Sequence, residues 1–129
     1  EATSILRACR AGSVGVLVDA LHYDRTATTP DDLAALPADW INYVQICDGL
    51  SPRPTSVDEL RFQGRNARLL PGEGCIDLVD MLQALPGVPV SIEAPVQWRA
   101  PAGVRARAAL RAARQVVGRA DADRVTLSA

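Results

Sequence analysis

Residues 14–19 read Val-Gly-Val-Leu-Val-Asp, a near-continuous apolar run that ends on a carboxylate. The pattern recurs at residues 41–45, Ile-Asn-Tyr-Val-Gln, and at residues 88–93, Val-Pro-Val-Ser-Ile-Glu. Short runs rich in β-branched residues are typical of strands that are covered on both faces. The sequence therefore predicts three buried strands, each ending on a side chain with an oxygen donor.

Helical patterns alternate with these runs. Ser56 and Glu59 form a capping box, and the helix that it opens would carry Arg61, Arg65 and Arg68 on one face. The other predicted helices cover the first eleven residues, Thr29 to Leu36, about Asp77 to Leu85, and Val104 to Val117. Strands that alternate with helices indicate an α/β fold with a parallel sheet, in which functional groups lie at the carboxyl ends of the strands.

Composition limits the function classes. The chain has 129 residues, of which 48% are apolar, so it fits one domain with a core, over residues 1–129. All 14 cationic residues are arginine, which excludes a Schiff-base lysine and a P-loop lysine from this chain. A net charge of −1 argues against nonspecific binding of nucleic acid, which depends on many basic groups.

Cysteine use and hydropathy bear on location. Cys9, Cys47 and Cys75 are odd in number and far apart, which favours reduced thiols in a cytoplasmic protein over a disulfide framework or a zinc cluster. No run approaches the roughly 20 apolar residues that span a bilayer, so no membrane partner is expected. Because the chain does not begin with methionine and a helical pattern starts at once, we expect a piece of a longer architecture.

The ends of the three predicted strands suggest chemistry. Asp19, Gln45 and Glu93 could converge on one divalent cation, since Mg²⁺ and Mn²⁺ favour oxygen ligands. His22, the only histidine, could carry a proton beside such an ion. The structural alternatives are that Asp19 and Glu93 cap helices and pair with arginines, and that His22 is a hydrogen-bonding residue.

Four segments resemble a known family. They are Val-Asp-Ala-Leu-His (18–22), Tyr-Val-Gln-Ile-Cys-Asp (43–48), Leu-Pro-Gly-Glu-Gly (70–74) and Ser-Ile-Glu-Ala-Pro (91–95). Together they are similar to the xylose isomerase-like TIM barrels, the sugar-phosphate isomerase and epimerase relatives, over most of residues 5–118. The resemblance implies the C-terminal portion, about three βα units, of a (β/α)8 barrel.

The resemblance also implies a site. One divalent cation (Mn²⁺, Mg²⁺ or Co²⁺) would bind Asp19, Gln45 and Glu93, with a further glutamate expected before residue 1, and His22 would contact the substrate or transfer a proton. The family usually has histidine where this chain has Gln45. An amide there is closer to the 3-dehydroshikimate dehydratase branch.

The expected function is that of a metal-dependent isomerase or epimerase that abstracts a proton next to a carbonyl of a polyhydroxylated or carboxylated substrate. The alternatives are a 3-dehydroshikimate dehydratase-type lyase and a noncatalytic fragment that folds only by association, as a homo-oligomer or with a missing N-terminal half-barrel. The full protein is then the enzyme, and the fragment alone is expected to be inactive. A DNA-repair endonuclease of the same superfamily is disfavoured, because it needs several more histidines.

Other polar residues have two interpretations each. Arg61, Arg65 and Arg68 could grip a carboxylate or phosphate, or form a solvated face. Glu73 could contact substrate hydroxyls, or cap the following helix at Cys75 or Ile76. Cys47 could act as a nucleophile, but a half-buried cysteine is more often an inert thiol, and we expect the inert role. Asp48 is expected to cap the turn after its strand.

Overall fold

The structure, a computed structural model, describes residues 2–9 and 14–127, with side chains described at 3–9 and 14–123. Within these residues the helices are α1 (Ala2–Ala8), α2 (Ala20–Arg25), α3 (Pro30–Ala34), α4 (Val57–Asn66), α5 (Leu78–Gln83) and α6 (Ala102–Leu127), with a 3-10 turn at Ala38–Trp40. The strands are β1 (Val16–Asp19), β2 (Ile41–Ile46) and β3 (Val90–Ile92). This alternation confirms the predicted α/β class.

The strands form a parallel sheet in the order β1-β2-β3 across the described part of the chain. Asp19 pairs with Gln45, and Gln45 pairs with Ser91, so these residues form one row across the sheet. Glu93 lies just beyond β3, where its N–H donates to the Ile46 carbonyl at 3.1 Å. The parallel register therefore brings the predicted oxygen donors to the same edge of the sheet.

The two faces of the sheet differ in burial. Val18, Val44 and Ile46 belong to the core and pack in one cluster with residues of α5 and α6, among them Leu78, Met81 and Val116. Leu17 and Tyr43 are register partners in adjacent strands, and they remain 39% and 38% exposed. Because side chains alternate along a strand, the helices cover one face of the sheet and leave an apolar part of the other face open.

Local caps explain where the helices begin. Thr29 with Asp32 and Ser56 with Glu59 each form a reciprocal capping box, and Asp77 caps α5. In each case a side-chain oxygen accepts a bond from a backbone N–H that the first helical turn leaves without a partner. The predicted starts of α3, α4 and α5 are confirmed.

Several predicted elements differ in extent. The helix α2 was missed. The helix α4 ends at Asn66, so the prediction that Arg68 shares a helical face with Arg61 and Arg65 is wrong. Of the predicted first helix, residues 10 and 11 lie outside the described residues. No helix among the described residues is long and apolar enough to cross a membrane.

Candidate functional site

A cleft of about 870 Å³ opens at the carboxyl edge of the sheet. We call it the His22 cleft, because His22 lines it together with Arg61, Arg65, Arg68 and Glu93. These residues come from α2, α4, the segment after α4 and the end of β3. The fold therefore assembles most of the sequence-predicted site residues around one opening, although they are far apart in the chain.

Asp19 lies below this cleft and is 7% exposed. Its Oδ1 caps α2 by accepting from the N–H groups of Leu21 at 2.9 Å and His22 at 3.1 Å. Its Oδ2 accepts from Arg68 Nη1 at 2.6 Å. The sequence-level alternative, a helix cap paired with an arginine, thus describes what Asp19 does in this structure, and the cap explains why α2 starts directly after β1.

Arg68 occupies the centre of the site. Its side chain is 5% exposed, and its Nη1 lies 2.6 Å from Asp19 Oδ2 and 3.8 Å from Glu93 Oε2. Its Nε donates to the Gly64 carbonyl at 2.9 Å, where it satisfies one of the last carbonyl groups of α4. Two carboxylates from two strand ends therefore converge on a single guanidinium nitrogen.

The ionisation of Arg68 agrees with this pairing. Burial lowers the pKa of its guanidinium, but the hydrogen bonds to Asp19 and Cys47 and the charge of Asp19 outweigh burial and leave the pKa raised. Arginine stays charged over the whole accessible pH range. The centre of the site thus carries one permanent positive charge between two carboxylates.

Three of the side chains near the strand ends carry oxygen atoms that could bind a divalent cation. Asp19 and Glu93 supply carboxylate oxygens that already approach one cationic atom, and Gln45 is the half-buried register partner of Asp19. Among the side chains described at 3–9 and 14–123, no hydrogen bond joins the Gln45 amide to the two carboxylates, and no three His, Cys, Asp or Glu side chains lie together as a metal cluster. The two carboxylates are of the donor type that a hard cation prefers, and the Arg68 guanidinium lies between them.

Cys47 lies beneath the same guanidinium. It is fully buried, and Arg68 Nη1 is 3.4 Å from its Sγ. Burial raises the pKa of the Cys47 thiol to about 11, because desolvation outweighs the nearby positive charge. A thiol that stays neutral is a poor nucleophile, so the geometry supports the inert interpretation.

Glu73 lies apart from the His22 cleft. It lines a second cleft of about 510 Å³ with Arg68 and Trp98, and its Oε2 accepts from the Leu70 N–H at 3.2 Å. The alternative in which Glu73 caps the next helix at Cys75 or Ile76 is wrong, because Asp77 is that cap. Arg68 is the residue that the two clefts share.

Asp48 holds the loop that follows Arg68. Its Oδ1 accepts from the N–H groups of Gly49 and Ile76, each at 2.9 Å, and its Oδ2 accepts from Gly72 N–H at 3.0 Å. A Cβ atom on Gly74 would collide with the Asp48 carboxylate, and Gly72 has a φ of 85°. Asp48 therefore caps more than its own turn. In the sequence, the features that could have indicated this role are the aspartate just after β2 and the glycine-rich segment at 72–74.

Three solved structures have a similar fold. A xylose isomerase domain protein from Alicyclobacillus acidocaldarius is 31% identical, with a TM-score of 0.70 over 93% of this chain and 43% of that one. The IolI protein, solved with a zinc atom, is 24% identical with a TM-score of 0.77 over 90% of this chain and 42% of that one. A xylose isomerase-like TIM barrel/4-hydroxyphenylpyruvate dioxygenase fusion protein is 25% identical, with a TM-score of 0.72 over 86% of this chain and 18% of that one.

The structural similarity covers most of this chain but only part of each solved structure. This chain is matched over most of its length, but it spans less than half the length of each of these relatives. No protein-family model and no curated protein matches the sequence. The parallel sheet, the strand-to-helix order and these neighbours agree with one another. The chain therefore has the fold of part of a xylose isomerase-like TIM barrel.

Proposed function

We propose that this chain supplies part of the site of a divalent-metal-dependent isomerase or epimerase that acts on a polyhydroxylated carbonyl compound. The observation that carries the proposal is the convergence of Asp19 and Glu93 on one positive charge beside the His22 cleft. The zinc atom in the IolI protein, which has a similar fold, supports the choice of a metal.

The ligands of the cation would be Asp19, Gln45 and Glu93. A divalent ion held there polarises a carbonyl or hydroxyl oxygen and makes the adjacent C–H bond more acidic. Asp19 is fixed in place by its two backbone donors, whereas the Glu93 side chain is 46% exposed and can adjust toward the cleft.

His22 is the candidate proton carrier. Its side chain is exposed on the wall of the cleft, and its position in the first turn of α2 is fixed by the Asp19 cap. Histidine is the side-chain type that changes charge near neutral pH, which suits removal of a proton from carbon and its return. We assign to His22 the transfer of the proton next to the substrate carbonyl.

The arginines would select the substrate. Arg61 and Arg65 are exposed on one wall of the cleft, and the ion pair of Arg61 with Asp58 is a long 3.7 Å contact at the surface. Such a pair is weak, so both guanidinium groups are available to hold a carboxylate or phosphate through two parallel bonds. We expect an anionic group on the substrate.

A lyase of the 3-dehydroshikimate dehydratase type is the second candidate. The observation that favours it is the arginine-rich wall, which suits a carboxylate, together with the amide of Gln45 beside Asp19. Elimination of water begins with the same proton abstraction as isomerisation. The difference lies in whether a hydroxyl group then leaves.

The test uses the full-length protein that contains this chain, incubated with Mn²⁺, Mg²⁺ or Co²⁺ in D2O with sugar phosphates and hydroxylated cyclic acids. Asp19→Ala and Glu93→Ala should each abolish turnover, and His22→Gln should abolish the incorporation of deuterium at carbon. Asp31→Ala, an exposed carboxylate outside the cleft, is the matched control and should remain active. Product analysis separates isomerisation from loss of water, and full activity of both carboxylate variants would end the proposal.

A further inference from the structure

The charges around Arg68 do not balance. Asp19 and Glu93 together carry two negative charges, and the single guanidinium between them leaves one negative charge in excess. Arg68 Nη1 also donates to the Glu93 carbonyl oxygen at 3.3 Å, so three oxygen atoms from two strand ends surround one nitrogen. Carboxylate and carbonyl oxygens are also the donor types that a hard cation prefers.

We propose that Arg68 is an exchangeable internal cation, which holds Asp19 and Glu93 in place until a divalent ion displaces it into the adjoining clefts. The inference deepens the proposed function, because it uses the same ligands. A divalent ion matches the two carboxylates better than one guanidinium does. The two cations repel each other at this distance, so they do not share the site.

The surroundings of Arg68 allow the displacement. Its backbone follows the C-cap of α4 at Ala67, which has left the helical conformation, and is therefore outside the rigid helix. Arg68 already lines both the His22 cleft and the second cleft, which Glu73 and Trp98 also line. Its guanidinium therefore need not cross the core to move away from the two carboxylates. Metal loading would thereby turn a structural guanidinium toward the opening in which Arg61 and Arg65 lie.

The first test measures the Mn²⁺ affinity of the full-length protein that contains this chain, by the loss of the free-Mn²⁺ signal in electron paramagnetic resonance. Removing an internal competitor should tighten binding, so Arg68→Gln should bind Mn²⁺ about 5- to 150-fold more tightly than the unmodified protein. Arg105→Gln removes an exposed positive charge from α6 outside both clefts, and this variant should bind Mn²⁺ as the unmodified protein does. Asp19→Asn should abolish binding.

Equal or weaker binding by Arg68→Gln, or no binding by any of these proteins, would overturn the inference. The second test needs no variant. The Nε–H of Arg68, which donates to Gly64, should give a protected arginine signal in nitrogen NMR without metal and lose that protection when saturating Mg²⁺ is added. An unchanged signal at saturation would also overturn it.

These readouts are independent of turnover. A protein that exchanges Arg68 for the metal but catalyses none of the proposed reactions would contradict the proposed function and leave the exchange intact. A protein that is active while Arg68 stays paired with Asp19 would contradict the exchange of Arg68 and leave the proposed function intact.

Discussion

Asp48 is the residue on which the conformation of the loop at 69–76 depends. Its side chain is 1% exposed and accepts three backbone hydrogen bonds. In Asp48→Asn the amide NH2 group would face a backbone N–H, and at least one buried donor would lose its acceptor. We expect a loss of about 2–3 kcal/mol in the free energy of unfolding, measured by chemical denaturation.

The matched control for this change is Asp31→Asn, which removes the same charge from an exposed position. It should alter the free energy of unfolding by less than about 0.5 kcal/mol. If Asp48→Asn were as stable as the unmodified chain, the three bonds would contribute nothing to the loop.

At the scale of single residues, the sequence showed which side chains end the strands but not what they contact. The sequence predicted Asp19 as a metal ligand or a helix cap. It could not distinguish the two roles, because both place a carboxylate directly after a strand. Its ion pair with Arg68 joins residues 49 positions apart, and no local pattern encodes such a contact. Arg68 was predicted as a substrate-binding residue on the premise of a shared helical face, and that premise is wrong because Arg68 lies beyond the end of the helix.

At the scale of elements, the capping boxes determine where α3 and α4 begin. The box at α4 also makes the stability of the fold depend on pH. The hydrogen bonds from the Ser56 hydroxyl and backbone N–H hold the pKa of Glu59 below its ordinary value. A carboxyl group with a lowered folded-state pKa stabilises the fold above the pKa of the unfolded chain, about 4.3 for glutamate, and this contribution is lost as the pH falls through the folded-state pKa.

Ser56→Ala should therefore return the pKa of Glu59 toward its ordinary value, as followed by carbon NMR. Loss of the cap should lower stability by about 1 kcal/mol at neutral pH. The difference between the two proteins should shrink as the pH falls through the lowered pKa of Glu59, because the protonated carboxyl no longer gains from the cap. Thr29→Ala is a parallel case, because Thr29 lowers the pKa of Asp32 in the same way. An unchanged Glu59 titration in Ser56→Ala would contradict the prediction.

Elements with strong local signals were predictable from the sequence. The strand β2 starts at Ile41, as predicted, because the apolar run there is bounded by clear turn signals. The helix α2 was missed because its six residues are too few to show a period of 3.6. The helix α6 runs ten residues past the predicted end at Val117, because Gly118 keeps a helical conformation and does not end the helix.

For the molecule as a whole, the open face of the sheet is the main surface to explain. Leu17 and Tyr43 are adjacent on it and more than a third exposed, and the strands β1 and β3 are the edges of the described sheet. Exposed apolar faces and unpaired strand edges promote association. We therefore expect the purified chain to self-associate at micromolar concentration in light scattering.

Tyr43→Glu places a charge on this face and should shift the chain toward monomer by about tenfold in dissociation constant. Leu110→Glu adds the same charge at an exposed apolar position of α6, away from the sheet, and should leave association unchanged. A stable monomer of the unmodified chain under these conditions would show that the open face needs no partner.

The shared carboxylate of Asp48 has a dynamic consequence. The amide protons of Gly49, Gly72 and Ile76 end on the same side chain, so none of them can open to solvent by a separate fluctuation of its own turn. Local unfolding in this region is instead a cooperative event. The strand end, the glycine segment and the entrance to α5 would then exchange hydrogen with water at one common rate.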